Sequence, residues 1–226
     1  MEYVNLGAGQ KILDLGCGTG ALTKELAAQG ADVTGVDFSE AMIEKAKVLY
    51  PDLTFQVENA ICLPYENVFD TVFSNAVFHW ILDHRKLLQS IKRALKEKGF
   101  LVCEFGAAGN IQSIEKAFSM QMNKRGRSYH SPFFFPDEET YEGLLHETGL
   151  RILRLVTYDR PTSLQDGRAG LRNWMRQFFV GSLYELSAAE TEEIFDAIEA
   201  ELETGLWQDG KWVADYRRIQ IIAQKP

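Results

Sequence analysis

Basic residues are scarce: 24 Lys and Arg stand against 32 Asp and Glu, for a formal net charge of −8. Duplex nucleic acid requires the opposite balance, so phosphate-backbone binding is excluded as the main task. Cysteine is scarce as well. Cys17, Cys62 and Cys103 are odd in number, far apart and without a CxxC pair, so neither a disulfide framework nor a zinc site is indicated and no metal is expected. No apolar run approaches bilayer-spanning length, and the first residues lack the basic, apolar and small-residue succession of a secretory leader. The expectation is a cytoplasmic chain, monomeric or weakly dimeric, that uses neither nucleic acid nor membrane as a partner. Repeats, low-complexity tracts and long linkers are missing too. The 226 residues, 46% of them hydrophobic, read as a single domain able to bury a core.

What is present, from residue 11 to about 106, is an alternation of short apolar runs with helical periodicity, the mark of βα units around a parallel sheet. "KILDL" reads as a strand and "TGALTKELAAQG" as a helix, with Thr19 near its start and Gly30 as its stop. "ADVTGVD" is the next strand, followed by a helix opened by Ser39 and ended ahead of Pro51. "LTFQVEN" and "FDTVFSN" are two more strands, residues 83–99 an amphipathic helix, and "FLVCEFG" a fifth strand. Beyond Gly106 come a helix over 110–125, a proline-bounded aromatic segment leading into a helix, and the strand "LRILRLVTYDR". Two helical patterns over 168–206 and one late strand, "WVADYRRIQIIAQK", complete the chain.

The run "ILDLGCGTGALTKELAAQGADVTGVD" carries the chemistry. A strand feeding a glycine turn that opens a helix surrounds a ligand with backbone N–H groups. "GCGTGA" satisfies a loose GxGxxA pattern, so a nicotinamide-dependent oxidoreductase must be weighed, with Asp37 on a ribose. Asp14 opposes it, because a carboxylate beside that turn repels a pyrophosphate. A ligand with an ammonium, a ribose and an adenine, but no phosphate, suits both acids: Asp14 lies near the ammonium, and Asp37 accepts two ribose hydroxyls. S-adenosylmethionine has those parts.

"ILDLGCGTG" with "VTGVDFSEAM" resembles the class I S-adenosylmethionine-dependent methyltransferases, over about Gln10 to Gly106. "FDTVFSNAVFHWILDHRKLL" followed by "LKEKGFLVCEF" is similar to the small-molecule branch that includes the trans-aconitate and malonyl-carrier-protein methyltransferases. The resemblance implies an α/β, Rossmann-like, mostly parallel sheet with an antiparallel last strand and helices on both faces. It also implies helical cap insertions near 107–148 and 161–211 within a single methyltransferase domain, 1–226. Asp14, Gly16, Cys17, Gly18 and Gly20 would line the methionine portion of the cofactor, Asp37 the ribose, and Phe38 and Met42 the adenine. Asn59 and Ala60 replace the family's usual Asp-Ala at the adenine amino group, where an amide oxygen still accepts. Ser74, Asn75 and Ala76 would pass beneath the cofactor near its sulfonium. A non-catalytic S-adenosylmethionine-binding module is the remaining alternative.

The acceptor would meet the cap and the segments just after the fourth and fifth strands. By the same resemblance, His79 and Trp80 would stand beside the methyl group, as acceptor-positioning residues. An antiparallel last strand would add Trp212, Asp215 and Tyr216, with Arg217 or Arg218 as a fork for an acidic acceptor. His84 and His146 read as surface or core-edge residues. The absence of an unambiguous general base favours a carboxylate among small-molecule acceptors. About ten residues precede "KILDL", where related enzymes carry a helical segment that closes over the cofactor. Closure would then fall to the cap, or the site would be unusually open.

Overall fold

The structure is a computed structural model that describes residues 6–226; the residues ahead of Leu6, part of that short lead-in, lie outside the described residues. The first half follows the alternation: β1 (Lys11–Leu15), α1 (Ala21–Ala28), β2 (Asp32–Asp37), α2 (Glu40–Leu49), β3 (Thr54–Val57), β4 (Phe69–Asn75), α3 (His84–Ala94) and β5 (Leu95–Gly106). Then come α4 (Gln112–Lys124), α5 (Glu138–Thr148), β6 (Arg151–Asp159), β7 (Thr162–Ser163), α6 (Gly170–Phe178), α7 (Val180–Leu183), α8 (Ala188–Leu206), β8 (Trp207–Gln208), β9 (Lys211–Ala214) and β10 (Arg217–Gln224). Among the described residues no helix is long and apolar enough to cross a membrane.

The seven-stranded sheet has the order β3-β2-β1-β4-β5-β10-β6, mostly parallel with one antiparallel strand. Successive side chains along a strand point to opposite faces, and both faces are apolar. Leu13, Val72, Leu101, Cys103 and Ile221 join a core with Leu87, Ile91, Tyr141 and Leu145 of α3 and α5, while Ile12, Val102 and Ile222 join another with Leu26 of α1. Helices therefore cover both faces. The chain order reverses between β1 and β4, the switch point where open α/β sheets leave a crevice beyond the strands' carboxyl ends.

The described residues form two units, one comprising residues 6–107, 133–157 and 219–226, the other 108–132 and 158–218. Residues 133–148, expected within the cap, stand with the sheet in the first unit. The second unit holds α4, α6, α7 and α8 with a three-stranded sheet of order β7-β9-β8. Ser187 and Glu190 form a reciprocal capping box at the start of α8.

Three expected elements are corrected. The helix over 83–99 stops at Ala94, because Leu95 enters β5 and is fully buried opposite Phe69. Residues 96–99 then bulge opposite Asp70, whose carboxylate takes the Lys96 ammonium at 2.7 Å. The first helix starts after Gly20 rather than at Thr19, since Gly20, at φ 85, still belongs to the turn. The late strand is two: β9 pairs antiparallel with β7 and β8, and β10 joins the main sheet. Asp215, between them, caps α4 by accepting from the Ser113 amide at 2.8 Å.

Candidate functional site

Residues at or just beyond the carboxyl ends of β1 to β4 line a cavity of about 550 Å³; small-molecule sites occupy about 300–1,000 Å³. The glycine turn gives one wall. Gly16 has φ +77, and a Cβ there would lie 2.2 Å from a Val77 methyl, so glycine is required both by conformation and by space. Its amide and that of Cys17 both donate to the Val36 carbonyl, at 2.7 and 3.0 Å, which ties the turn to β2.

Asp37 is clamped at the wall: the Gly18 amide donates to Oδ2 at 3.0 Å and the Ser39 amide to Oδ1 at 2.9 Å. Each oxygen keeps a second lone pair for a ligand. Asp14 is buried and is not part of the cavity lining. It accepts from the Thr23 hydroxyl of α1 at 2.6 Å. Burial pushes its carboxyl up to about 6; the Thr23 bond opposes the rise and the Asp37 charge adds to it. The same burial, with both carboxylates, pushes the Cys17 thiol up to about 12, so it is an inert packing group.

Asn59 caps the short turn 60–62, its Oδ1 accepting from the Ile61 amide at 3.2 Å, and Asn59, Ala60 and Ile61 all line the cavity. Asn75 and Ala76 line it at the end of β4, where the Ser74 hydroxyl donates to the Leu15 carbonyl at 2.7 Å. Ala76 has φ +60, a strained value for a non-glycine residue, and its amide donates to the Glu104 carbonyl at 2.7 Å. Trp80, 46% exposed, lines the cavity; Phe38, 77% exposed, and Leu82, 73% exposed, stand with it. His79 is buried instead, with Nδ1 accepting from the Gly106 amide at 3.3 Å.

The structure thus brings Gly16, Asp37, Phe38, Asn59, Ala60, Asn75, Ala76 and Trp80 to one cavity. Asp14, Cys17, Gly18, Gly20, Met42 and His79 are not among its lining residues. Glu58, Ile81, Leu82 and Asp83 line it without having been singled out; Asp83, the cap of α3, carried the signal of an acid just before a helix. Trp212 and Tyr216 lie in the second unit. Contrary to its expected place at the start of the last strand, Trp212 is buried in β9 with Nε1 donating to the Arg168 carbonyl at 3.0 Å. The Tyr216 hydroxyl accepts from Trp174 Nε1 at 2.7 Å, and Arg217 pairs with Asp159 at 2.7 Å.

Known proteins share this chain's sequence pattern and its fold. A family described as "Methyltransferase domain" matches residues 13–103. A Schizosaccharomyces pombe protein named as an uncharacterized methyltransferase is 32% identical, over 100% of this chain and 90% of its own length. The trans-aconitate 2-methyltransferase of an Enterobacter species is 31% identical, over 74% and 69%. The chain belongs to the S-adenosylmethionine-dependent methyltransferases. The crystal structure of a SAM-dependent methyltransferase from Methanosarcina mazei has the same fold, with TM-score 0.63 and 20% identity over 99% of this chain and 95% of that one. The cofactor of this methyltransferase is S-adenosylmethionine, and the nicotinamide alternative gives way. The cavity fits that cofactor: Asp37, Glu58 and Asp83 place carboxylates in the lining for a cationic ligand, and Gly16 lets the turn pack directly against Val77 of the opposite wall.

Proposed function

We propose that this methyltransferase holds its donor in the cavity at the ends of β1 to β4 and methylates a small molecule that carries a carboxylate. The observation that carries the donor assignment is the Asp37 carboxylate, oriented at the cavity wall by the amides of Gly18 and Ser39. Asp37 takes the ribose hydroxyls, Asn59 and Ala60 with Phe38 and Met42 take the adenine, and Gly16 to Gly20 take the methionine portion. Asp14 acts from beneath the turn through its charge. Asn75 and Ala76 support the reacting end. When bound, the cofactor supplies a methyl group on a positive sulfonium, open to direct displacement.

The protein's part is alignment and exclusion of water, which contribute on the order of 7–11 kcal/mol when donor and acceptor are held in line. A carboxylate acceptor is supported by the name of the Enterobacter relative. Among the described residues lining the cavity there is no histidine, lysine or tyrosine; its acids are Asp37, clamped by two amides, Asp83, paired with Lys86 at 2.8 Å, and Glu58. A carboxylate is already nucleophilic and needs no base. Trp80 lines the cavity, and His79 orients it from behind, their rings 5.5 Å apart.

Calorimetric titration with S-adenosylmethionine, S-adenosylhomocysteine and NAD tests the donor site. The first two should bind and NAD should not, and Asp37→Ala should abolish binding; unchanged affinity in that variant sinks the assignment. A screen with methyl-labelled donor tests the acceptor. Label appearing only in amines, phenols or quinols would reject the carboxylate.

A further inference from the structure

Phe38 and Trp80 are the aromatic side chains among the described residues lining the cavity, and they stand on opposite sides of the glycine turn. The strand order β3-β2-β1-β4 sets the succession along the wall: Glu58 and Asn59 beyond β3, Asp37 and Phe38 at β2, Gly16 at β1, then Asn75, Ala76 and Trp80 at β4 and beyond. A donor laid with its adenine at Asn59 and its ribose on Asp37 brings its sulfonium to the β4 end. Carboxylates do little for a cation there. Asp37 and Glu58 belong to the other end, and Asp83 is engaged by Lys86, whose amide donates to Oδ1 at 3.0 Å and whose ammonium meets Oδ2 at 2.8 Å. What this end does offer is an indole, half exposed. The faces of an aromatic ring carry partial negative charge, and tryptophan attracts a cation within about 6 Å most strongly.

The indole is held by its neighbours. Phe133, buried, meets it edge-on at 4.8 Å with an interplanar angle of 71°, and is itself stacked on Phe135 at 5.2 Å. The Phe134 amide donates to the His79 carbonyl at 2.9 Å, which ties residues 133–135 to the turn that carries Trp80. Phe134 packs instead on His84, ring centroids 4.4 Å apart, and His84 is 3% exposed rather than at the surface. We propose that Trp80 recognises the positive charge of the donor through its ring, and that Phe133 is a positioning residue that fixes the indole for this task. Transfer of the methyl to an acceptor lone pair leaves the C–S bonding pair on sulfur. The attraction of the indole therefore exists before transfer and is gone after it, so the site favours charged donor over neutral product.

The inference rests on the donor assignment above, and paired titrations with S-adenosylmethionine and S-adenosylhomocysteine separate the two. The ligands share adenine and ribose and differ in the charge on sulfur. Trp80→Leu should weaken S-adenosylmethionine roughly three- to tenfold and leave S-adenosylhomocysteine within about twofold. Trp80→Phe, which keeps a weaker π face, should fall between parent and leucine variant, and Phe133→Leu should shift the ratio of the two Kd values in the same direction by less. A side chain that only fills space would weaken both ligands equally or neither; either result in Trp80→Leu overturns the proposal. If that variant does not fold, the ratio in Trp80→Phe decides. A parental ratio in Phe133→Leu, with the ratio changed in Trp80→Leu, overturns the positioning role of Phe133. Should Asp37→Ala bind both ligands normally, the site assignment itself has failed; should it lose both while Trp80→Leu keeps the parental ratio, only the role of Trp80 has failed.

Discussion

At the scale of single residues, the glycine turn beside the cavity leaves little choice of side chain. Gly16 is the clearest. Its φ of +77 and the 2.2 Å distance from a built Cβ to Val77 act together, so Gly16→Ala combines a left-handed alanine, costing about 1–2 kcal/mol, with displacement of the residue after Ala76. The expected outcome is a lower Tm together with at least tenfold weaker donor binding, read by thermal unfolding and calorimetry. Normal affinity would show that the turn tolerates a shift. Asp14 and Asp37 stood out in the sequence because two acids around a glycine turn have few chemical explanations; the structure brings Asp37 to the cavity wall and buries Asp14 outside its lining. The clamping of Asp37 by Gly18 and Ser39 was not, since backbone donors carry no residue identity. His84 was misread for a related reason: its burial comes from Tyr141 and Phe134, some fifty residues further along the chain.

At the scale of elements, periodicity located every strand of the parallel half, because short apolar, β-branched runs alternate there with helical patterns. It failed where a tertiary partner decides. Leu95 to Gly99 continues a helical pattern, but pairing of Leu95 with Phe69 and the positive φ of Lys98 commit the segment to β5. The late apolar run was divided by Asp215, whose carboxylate serves α4 from about a hundred residues away. Helix caps, by contrast, are local and readable. In α8 the Ser187 hydroxyl accepts from the Glu190 amide and the Glu190 carboxylate accepts from the Ser187 amide. Ser187→Ala should cost about 1 kcal/mol and lower Tm by about 2–4 °C for a chain of this size. A Tm equal to that of the parent, measured calorimetrically, would mean that the first turn of α8 contributes nothing to the cooperative unit.

For the whole molecule, two buried titrating groups of opposite type set how stability answers to pH. Asp14 is raised from 3.8 to about 6, so the folded chain holds its proton longer than the unfolded one. Its contribution is complete below about 3.8 and is lost as pH rises through about 6. His84 is lowered from 6.5 to about 4, so the unfolded chain takes up that proton first. Its contribution is complete above about 6.5 and is lost as pH falls towards about 4. The two slopes oppose each other through the same window and largely offset. Exposed carboxylates titrate there too, but they are common to parent and variant and cancel in a difference curve. The Tm of Asp14→Asn relative to the parent should therefore climb as pH rises from about 4 to about 7, while that of His84→Phe should climb as pH falls from about 6.5 to about 4. The charges that could distort these curves are Asp37 beside Asp14 and Asp83 beside His84, both retained in the variants. Two flat difference curves would show that neither group is perturbed by folding. Curves of opposite slope would show that the acid beneath the glycine turn is ionised only against a folding cost.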